Sequence, residues 1–196
     1  YEPTSGVITL DGVDYRERSL NFLQSNLGVV LQTSHIFAGT VRENIRYGQL
    51  SATDEAIRAA AEAAGAAPMI KQLDQGYDTM IEEGGASLSS GQKQLIAFTR
   101  ALLKDPQILI MDEATSSVDT LTEKGIEQGL RALLKDRISV IIAHRLSTIR
   151  HADQICVLDQ GRIIEMGRHE ELIAIEGKYH ALFMQQSLSN LWQHQS

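Results

Sequence analysis

Apolar residues recur along the chain in two patterns, which predict two kinds of secondary structure. Largely apolar runs of four or five residues, each followed directly by a polar residue, are typical of buried strands. They occur at Leu27–Leu31, Ile108–Met111 and Ser139–Ala143. Apolar residues at helical spacing and end signals predict helices at Ser51–Gly65, around Pro68–Leu73, at Lys93–Leu103 and at Thr120–Lys135. This alternation predicts an α/β fold.

Shorter signals are found toward both ends of the chain. Asp11-Gly12 and Gln160-Gly161 are turn dipeptides between β-type runs, so each predicts a hairpin. The predicted hairpin strands are Val7–Leu10 with Val13–Tyr15, and Gln154–Asp159 with Arg162–Met166. Two terminal helices are predicted on either side of Gly177, at His169–Ile175 and Lys178–Gln186.

The run Ile108–Met111 predicts a strand buried on both faces, as in the centre of a parallel sheet, and two acids follow it. Ligands of open α/β sheets bind beyond the carboxyl ends of the strands. There Asp112 can hold Mg2+, which binds few carboxylates and keeps several waters. Glu113 can polarise an attacking water as general base. A buried strand that ends in a solvated acidic turn is the alternative.

The segment Leu88–Gln92 reads Leu-Ser-Ser-Gly-Gln and leads into a predicted helix. Ser89 and Gln92 have the spacing of a capping box, in which each side chain bonds the other residue's backbone N–H. Such a helix N-terminus is also a ready anion site, because its N–H groups and the helix dipole favour negative charge. An ordinary cap that binds no ligand is the alternative. Thr40 and Glu43 have the same spacing and predict a second capping box.

Composition narrows the class of protein. The 196 residues are 43% hydrophobic and 22% charged, as in ordinary globular proteins, and suffice for one domain with a substantial core. The formal charge of −7 argues against a nucleic-acid-binding surface. No apolar run approaches the roughly 20 residues of a membrane span. The single cysteine, Cys156, lies in an apolar run and is predicted to be a packed thiol in a reducing compartment. These features predict one soluble, cytoplasmic domain.

The order and spacing of these segments resemble the nucleotide-binding domain of ABC transporters, in particular of exporters. Leu88–Gln92 resembles the family's signature, with Ser90 where glycine is usual. Ile108–Glu113 resembles its Walker B strand, and Ser116–Asp119 resembles its D-loop. The resemblance implies a P-loop NTPase-like fold: a mainly parallel sheet flanked by helices, with an inserted α-helical subdomain. The implied activity is ATP hydrolysis between two cassettes, where the P-loop of one cassette faces the signature of the other.

The resemblance also implies roles for single residues. Gln32 matches the Q-loop glutamine, which approaches Mg2+ and the attacking water. His144 matches the H-loop histidine, which contacts the γ-phosphate and orients the water for the general base Glu113. By themselves, Gln32 and His144 are also typical of polar loop residues. The metal ligands are expected to be Asp112 and Gln32. The nucleotide held by the partner cassette is expected to contact Ser89, Ser90, Gly91 and Gln92, and Asp119 is also expected to bind nucleotide.

One expected motif does not occur. Residues 1–12 resemble the stretch that follows the P-loop helix in the family, yet no G-x-x-x-x-G-K-[ST] is found in the 196 residues. We therefore expect the P-loop to lie upstream and this chain to be an N-terminally truncated cassette, inactive in isolation. Its expected parts are an α/β core over residues 1–48 and 105–187, a helical subdomain with the signature over 49–104, and a tail over 188–196.

The implied partners are ATP with Mg2+, a second cassette in a homo- or heterodimer, and the transmembrane domain of an exporter, with no nucleic acid. The implied location is the cytoplasmic face of the cell membrane. In exporters the region after the Q-loop receives the membrane domain, so Ile36 and Phe37 suit either exposed docking or buried packing. Two other functions stay open here. One is a soluble ABC-type ATPase head that acts on DNA or the ribosome, and the other is a non-catalytic cassette that lends its signature to a partner.

Overall fold

The structure is a computed structural model, and it describes residues 2–112, 120–143 and 149–193. The strands with described bounds are β1 (Thr9–Leu10), β2 (Val13–Asp14), β3 (Leu27–Val30), β4 (Gly39–Thr40), β5 (Met80–Ile81), β6 (Ile108–Asp112), β7 (Ile138–Ile142), β8 (Ile155–Asp159) and β9 (Arg162–Gly167). The α-helices with described bounds are α1 (Leu20–Asn26), α2 (Val41–Arg46), α3 (Asp54–Ala63), α4 (Ala67–Lys71), α5 (Ser90–Lys104), α6 (Thr120–Leu134), α7 (His169–Ile175) and α8 (Lys178–Gln193). The described residues divide into two compact units, one that ends at Ile141 and one that begins at Ile142.

A three-stranded sheet in the order β3-β6-β7 lies in the first unit. Strands β3 and β6 are parallel, with Leu27 opposite Ile108 and Val30 opposite Met111. The apolar runs therefore form strands where the sequence predicts them. The predicted α/β class, with a parallel sheet and flanking helices, is confirmed.

The prediction that β6 is buried on both faces is wrong for the described residues. Its side chains alternate, so that Leu109 and Met111 are fully buried whereas Ile110 is 38% exposed. Val29, which lies opposite Ile110 in the register, is exposed as well. Helices therefore cover one face of these strands, and the other face presents apolar side chains. The neighbouring strand β7 adds exposed Ile138, Val140 and Ile142.

Helices α2 to α6 share one apolar core with the sheet. Phe98 of α5, Ile57 of α3 and Ile45 of α2 are fully buried in this core, and so are Leu109 and Met111 of β6. A continuous core of this kind stabilises the helices mainly through burial of one amphipathic face of each. The predicted boundaries between an α/β core and a helical subdomain stay a prediction.

Local sequence sets the bounds of α3. The predicted start at Ser51 is wrong, because Thr53 is the cap: its hydroxyl accepts a hydrogen bond of 3.2 Å from the N–H of Ala56. Thr53 is the residue directly before the first helical position, and Ser51 lies too early to reach the first turn. Gly65 ends the helix as predicted, with φ +68°, a conformation that costs glycine little.

Helix α6 packs against the end of α3. The Nε2 of Gln128 donates hydrogen bonds to the carbonyl oxygens of Glu62 at 2.7 Å and Ala63 at 3.3 Å. These are among the last carbonyls of α3, and that of Glu62 also accepts a hydrogen bond of 3.1 Å from the N–H of Gly65. A Cβ atom on Gly125 would lie 2.7 Å from the carbonyl oxygen of Gly65, so only glycine allows this approach. A side chain from another helix thus completes α3.

Both predicted hairpins form. Strand β1 pairs with β2 around Asp11-Gly12, and β8 pairs with β9 around Gln160-Gly161, with positive φ at all four turn residues. In the second unit, α8 continues to Gln193 and does not end at Gln186 as predicted, because no glycine or proline follows to stop it. Cys156 is exposed, contrary to the prediction, because it alternates with the buried Val157. No helix in the described part of the chain is both long and apolar enough to cross a membrane.

Candidate functional site

Two predicted site residues lie at the carboxyl ends of the parallel strands. Asp112 is the last residue of β6 and is half-buried, and Gln32 follows β3 and is exposed. Because Val30 pairs with Met111, the next residues along, Leu31 and Asp112, lie side by side, and Gln32 comes directly after. Both polar side chains therefore lie at one edge of the sheet, where α/β proteins bind ligands. Neither is hydrogen bonded or ion paired to another described residue.

The donors at this edge fit a magnesium ion. Asp112 offers a carboxylate and Gln32 an amide oxygen, which are the hard oxygen ligands that Mg2+ prefers. Gln32 is exposed and Asp112 is only half-buried, which leaves access for the water molecules that Mg2+ keeps when it binds to proteins. The sheet edge therefore offers oxygen ligands that suit a divalent cation.

Three further predicted residues, Glu113, Asp119 and His144, lie outside the described residues. In the sequence, Glu113 follows the last residue of β6, Asp119 directly precedes α6, and His144 comes two residues after β7. Their roles stay predictions.

The predicted signature forms the N-terminus of α5. The Oγ of Ser89 accepts a hydrogen bond of 3.2 Å from the N–H of Gln92, and the Oε1 of Gln92 accepts one of 2.9 Å from the N–H of Ser89. This confirms the predicted capping box. Ser89 and Ser90 are exposed, Gly91 is buried and Gln92 is half-buried. Because the Ser89 oxygen is the acceptor in the box, its O–H can still donate to an anion.

A loop holds the signature end of α5 against the chain that follows Gln32. The Nζ of Lys93 donates to the carbonyl oxygen of Gly84 at 2.8 Å, and the N–H of Gly84 donates to the carbonyl oxygen of Ile36 at 2.9 Å. Gly85 is buried with φ +62°, and a Cβ there would lie 3.2 Å from the side chain of Ile36. The signature and the residues beyond β3 are thus joined by a short chain of direct contacts.

Residues 35–47, which we call the docking segment, follow the predicted Q-loop. Ile36 is fully buried, whereas Phe37 is 37% and Tyr47 is 53% exposed, with the two rings 4.4 Å apart between centroids. Asn44, fully buried, accepts from the N–H of Phe37 at 3.0 Å and donates to the carbonyl oxygens of Phe37 and Thr40. Of the two apolar residues considered for docking, one packs in the core and the other is on the surface.

A capping box and the ion pairs of Arg42 stabilise the first turn of α2. The predicted box of Thr40 and Glu43 is confirmed, and hydrogen bonds from the N–H and hydroxyl of Thr40 hold the pKa of the Glu43 carboxyl below its usual range. Arg42 pairs with Asp54 and, at 3.0 Å, with Asp78. Because these carboxylates are exposed, each pair contributes only about 0–1 kcal/mol.

Two polar residues, the buried Asn44 and the half-buried Arg100, were not predicted from the sequence to have a role. A signal for Arg100 was present, since it falls between Ile96 and Leu103 at the i, i+4, i+7 spacing of an apolar stripe. A charge inside such a stripe indicates a buried group that needs polar partners. Asn44 gave no comparable signal.

The chain belongs to the ABC transporter family, because residues 1–116 match the sequence model of that family. This confirms the predicted family. ATP binding and ATP hydrolysis are general properties of the ATP-binding domains of this family.

The proteins that the chain resembles include a flippase and an exporter. The chain is 51% identical over 186 residues to the "Uncharacterized ABC transporter ATP-binding protein YfiC" of Bacillus subtilis, which is 95% of this chain and 31% of the relative. It is 48% identical over 181 residues to an ATP-dependent lipid A-core flippase of Desulfotalea psychrophila, covering 92% of the chain and 32% of the flippase. Its fold matches a bacterial Atm1-family ABC exporter solved with ATP bound, with a TM-score of 0.86 and 44% identity over 95% of this chain and 32% of that one. The chain spans about a third of the length of these relatives.

Proposed function

We propose that the chain is the ATP-hydrolysing cassette of an ABC exporter. It acts at the cytoplasmic face of the cell membrane, paired with a second cassette and attached to a transmembrane domain. The observation that carries the proposal is the arrangement in the first unit. Gln32 and Asp112 share the carboxyl edge of parallel strands, and a capped signature helix is bonded to the chain just beyond Gln32.

In this proposal the sheet edge is the hydrolytic half of the site. Asp112 and Gln32 would hold Mg2+, which when bound neutralises charge on the phosphates. Glu113 polarises the attacking water, and Gln32 and His144 position it. Phosphoryl transfer depends almost entirely on positioning and charge stabilisation, so polar groups at the end of a strand suit this reaction.

The signature is the half that serves ATP bound to the partner cassette. Ser89, Ser90, Gly91 and Gln92, together with Asp119, contact that nucleotide. The capping box supports this role, because it fixes the first turn of α5 while leaving the Ser89 O–H as a donor. The positive end of the helix dipole adds attraction for the phosphate.

The transmembrane domain docks on Phe37 and Tyr47. The exposed ring pair supports this role, because Asn44 accepts a hydrogen bond from the N–H of Phe37 and the capping box stabilises the start of α2 between the two rings. An exporter is favoured over a head that acts on DNA or the ribosome by the net charge of −7 and by the likeness to a flippase and an exporter. The carboxylate of Glu113 favours a hydrolysing cassette over a non-catalytic one.

The test places a charge where the partner's phosphate is expected. In the transporter that contains this cassette, Ser90→Asp adds a carboxylate at the first helical position of α5, where an acid stabilises the helix. Folding should therefore be unaffected, while repulsion of the phosphate should lower ATP hydrolysis about tenfold or more. Ser90→Gly, with the residue usual in the family, is the matched neutral control and should retain activity. Equal hydrolysis rates in the two variants would show that the signature does not contact the phosphate of the nucleotide.

A further inference from the structure

Arg100 is a half-buried arginine in the second half of α5, and its guanidinium faces the docking segment. Its Nε donates to the carbonyl oxygen of Asn44, its Nη2 to the Oδ1 of Asn44 and its Nη1 to the carbonyl oxygen of His35, each at 2.5 Å. The side chain therefore bonds residues close to both ends of a segment that lies more than 50 positions earlier in the chain.

The same side chain lies beneath the exposed rings. The guanidinium carbon is 5.3 Å from the centroid of Phe37 and 5.9 Å from that of Tyr47, within the range of cation–π attraction. The backbone approaches as closely, because a Cβ on Gly48 would lie 2.3 Å from the carbonyl oxygen of Arg100. Hydrogen bonds, ring contacts and main-chain contact thus all join α5 to the docking segment at one place.

The charge on Arg100 strengthens these bonds. Among the described residues its hydrogen-bond acceptors are neutral oxygens, and no carboxylate pairs with it. Burial lowers the pKa of the guanidinium to about 10, so the group stays protonated at neutral pH. A charged donor makes stronger hydrogen bonds than a neutral one, and leaving it buried without acceptors is costly.

Helix α5 connects this place to the signature. Arg100 lies eleven positions after the cap Ser89, a helical distance of about 16 Å along an uninterrupted helix. Because the helix is rigid on this scale, a displacement of its first turn moves the guanidinium and whatever is bonded to it.

We propose that Arg100 is a positioning residue that fixes the docking segment to the signature helix, so that nucleotide contact at Ser89–Gln92 is transmitted to the surface that receives the membrane domain. This rests on the proposed function and adds to it the side chain that links the two surfaces. Arg100 itself contacts neither nucleotide nor membrane domain in this account.

The experiment measures backbone hydrogen exchange in the complete transporter, with and without Mg2+ and a non-hydrolysable ATP analogue. In the parent protein the analogue should protect the first turn of α5 and the docking segment together. In Arg100→Lys, which keeps the charge but loses the planar fork, the first turn should still gain protection while the docking segment no longer responds. Without nucleotide, exchange in the docking segment of this variant should rise about tenfold, the result of losing roughly 1.4 kcal/mol.

Two further variants separate linkage from general stability. Asn44→Asp keeps an acceptor for Arg100 but removes the Nδ2 donor to the carbonyl oxygens of Phe37 and Thr40. The docking segment of this variant should therefore also fail to gain protection from the analogue. Arg131→Lys is the control, because Arg131 is exposed and its ion pair, at 3.9 Å, is with Glu127 of the same helix α6. It should leave the response unchanged.

The outcomes are distinct. If the docking segment of Arg100→Lys still responds to the analogue, or if every helix of the variant exchanges faster alike, Arg100 is not the linking residue. If the parent's first turn responds but its docking segment does not, the proposed transmission is wrong. If the first turn of α5 does not respond in the parent protein, the proposed function of the signature itself fails, and the linkage with it.

Discussion

The two halves of the proposed nucleotide site differ in how they are held without a ligand. At the signature end of α5, Ser89 and Gln92 bond each other, and Lys93 is bonded to Gly84. At the sheet edge, Gln32 and Asp112 have no such partners among the described residues. The first half is pre-organised by its own backbone, whereas the second presents groups that an ion and a phosphate must organise. A change to the capping residues of the signature should therefore alter mainly the local stability of α5, whereas a change at the sheet edge should alter mainly the rate of ATP hydrolysis.

The largest effect is expected at the edge. In the complete transporter, Glu113→Gln keeps the size and hydrogen bonding of the side chain but removes the charge that draws a proton from water. Phosphate release should fall by about 10²–10⁴, the usual contribution of a positioned acid–base group, while nucleotide still binds. The control is Glu83→Gln, an exposed acid near the start of the loop between β5 and α5. A mutant that hydrolyses ATP at the parental rate would assign the base to another residue.

The next effect concerns binding by the 196-residue chain alone. Nucleotide binding in this superfamily depends on a glycine-rich nest of N–H groups and a lysine, and the sequence has no such motif. We expect calorimetry to give a dissociation constant for Mg-ATP of about 1 mM or weaker, and no turnover. A chain extended upstream through a P-loop should bind about a thousandfold more tightly. Micromolar binding by the 196-residue chain would show that its nucleotide site does not depend on a P-loop.

A pair of neighbours on β6 tests the strand that carries Asp112. Leu109→Ala removes a fully buried side chain and should lower the free energy of opening of β6 by about 2–5 kcal/mol. Ile110→Ala, at a position that is 38% exposed, should cost about 1 kcal/mol or less. Native-state hydrogen exchange of the strand amides in the transporter measures both. Equal losses would mean that something outside the described residues covers the second face of β6.

The smallest effect is expected at the pre-organised half. Ser89→Ala removes the cap and should destabilise the first turn of α5 by about 1 kcal/mol. Ser89→Asn keeps a capping oxygen and should retain most of that stability. Amide exchange at Gln92 reports the difference, because its N–H is the one that Ser89 accepts. Slow exchange in both variants would show that tertiary contacts alone hold the signature, and the contrast between the two halves would then need another cause.

Local rules predicted much of this architecture from the sequence. Both capping boxes, both turn dipeptides and the end of α3 at Gly65 were found because each depends on residues a few positions apart. The shared position of Gln32 and Asp112 at one edge of the sheet was also predicted, since ligands of α/β proteins bind beyond the carboxyl ends of the parallel strands. Glu113, Asp119 and His144 stay predictions.

Features that depend on distant partners could not be predicted in the same way. The exposure of Ile110 depends on what packs on the second face of the sheet, which the apolar run of β6 does not reveal. Arg100 and Asn44 meet across 56 positions, and no local pattern tells which acceptor a buried arginine will find. Cys156 was predicted to be buried from its apolar neighbours, although strand alternation next to Val157 places it outside.

The bond from Gln128 to the end of α3 has a consequence for the order of events during synthesis. Glu62 leaves the ribosome 66 residues before Gln128, whose side-chain amide donates a hydrogen bond to the carbonyl oxygen of Glu62. At about 5–20 residues per second, the helix waits roughly 3–13 seconds for that partner. During this interval, the C-terminal turn of α3 has its local backbone bonds, such as that from the N–H of Gly65 to the carbonyl oxygen of Glu62, but lacks those from Gln128, and the small surface that later receives Gly125 is open. Translation speed between these two positions therefore sets how long the nascent chain is exposed to chaperones and to wrong pairing.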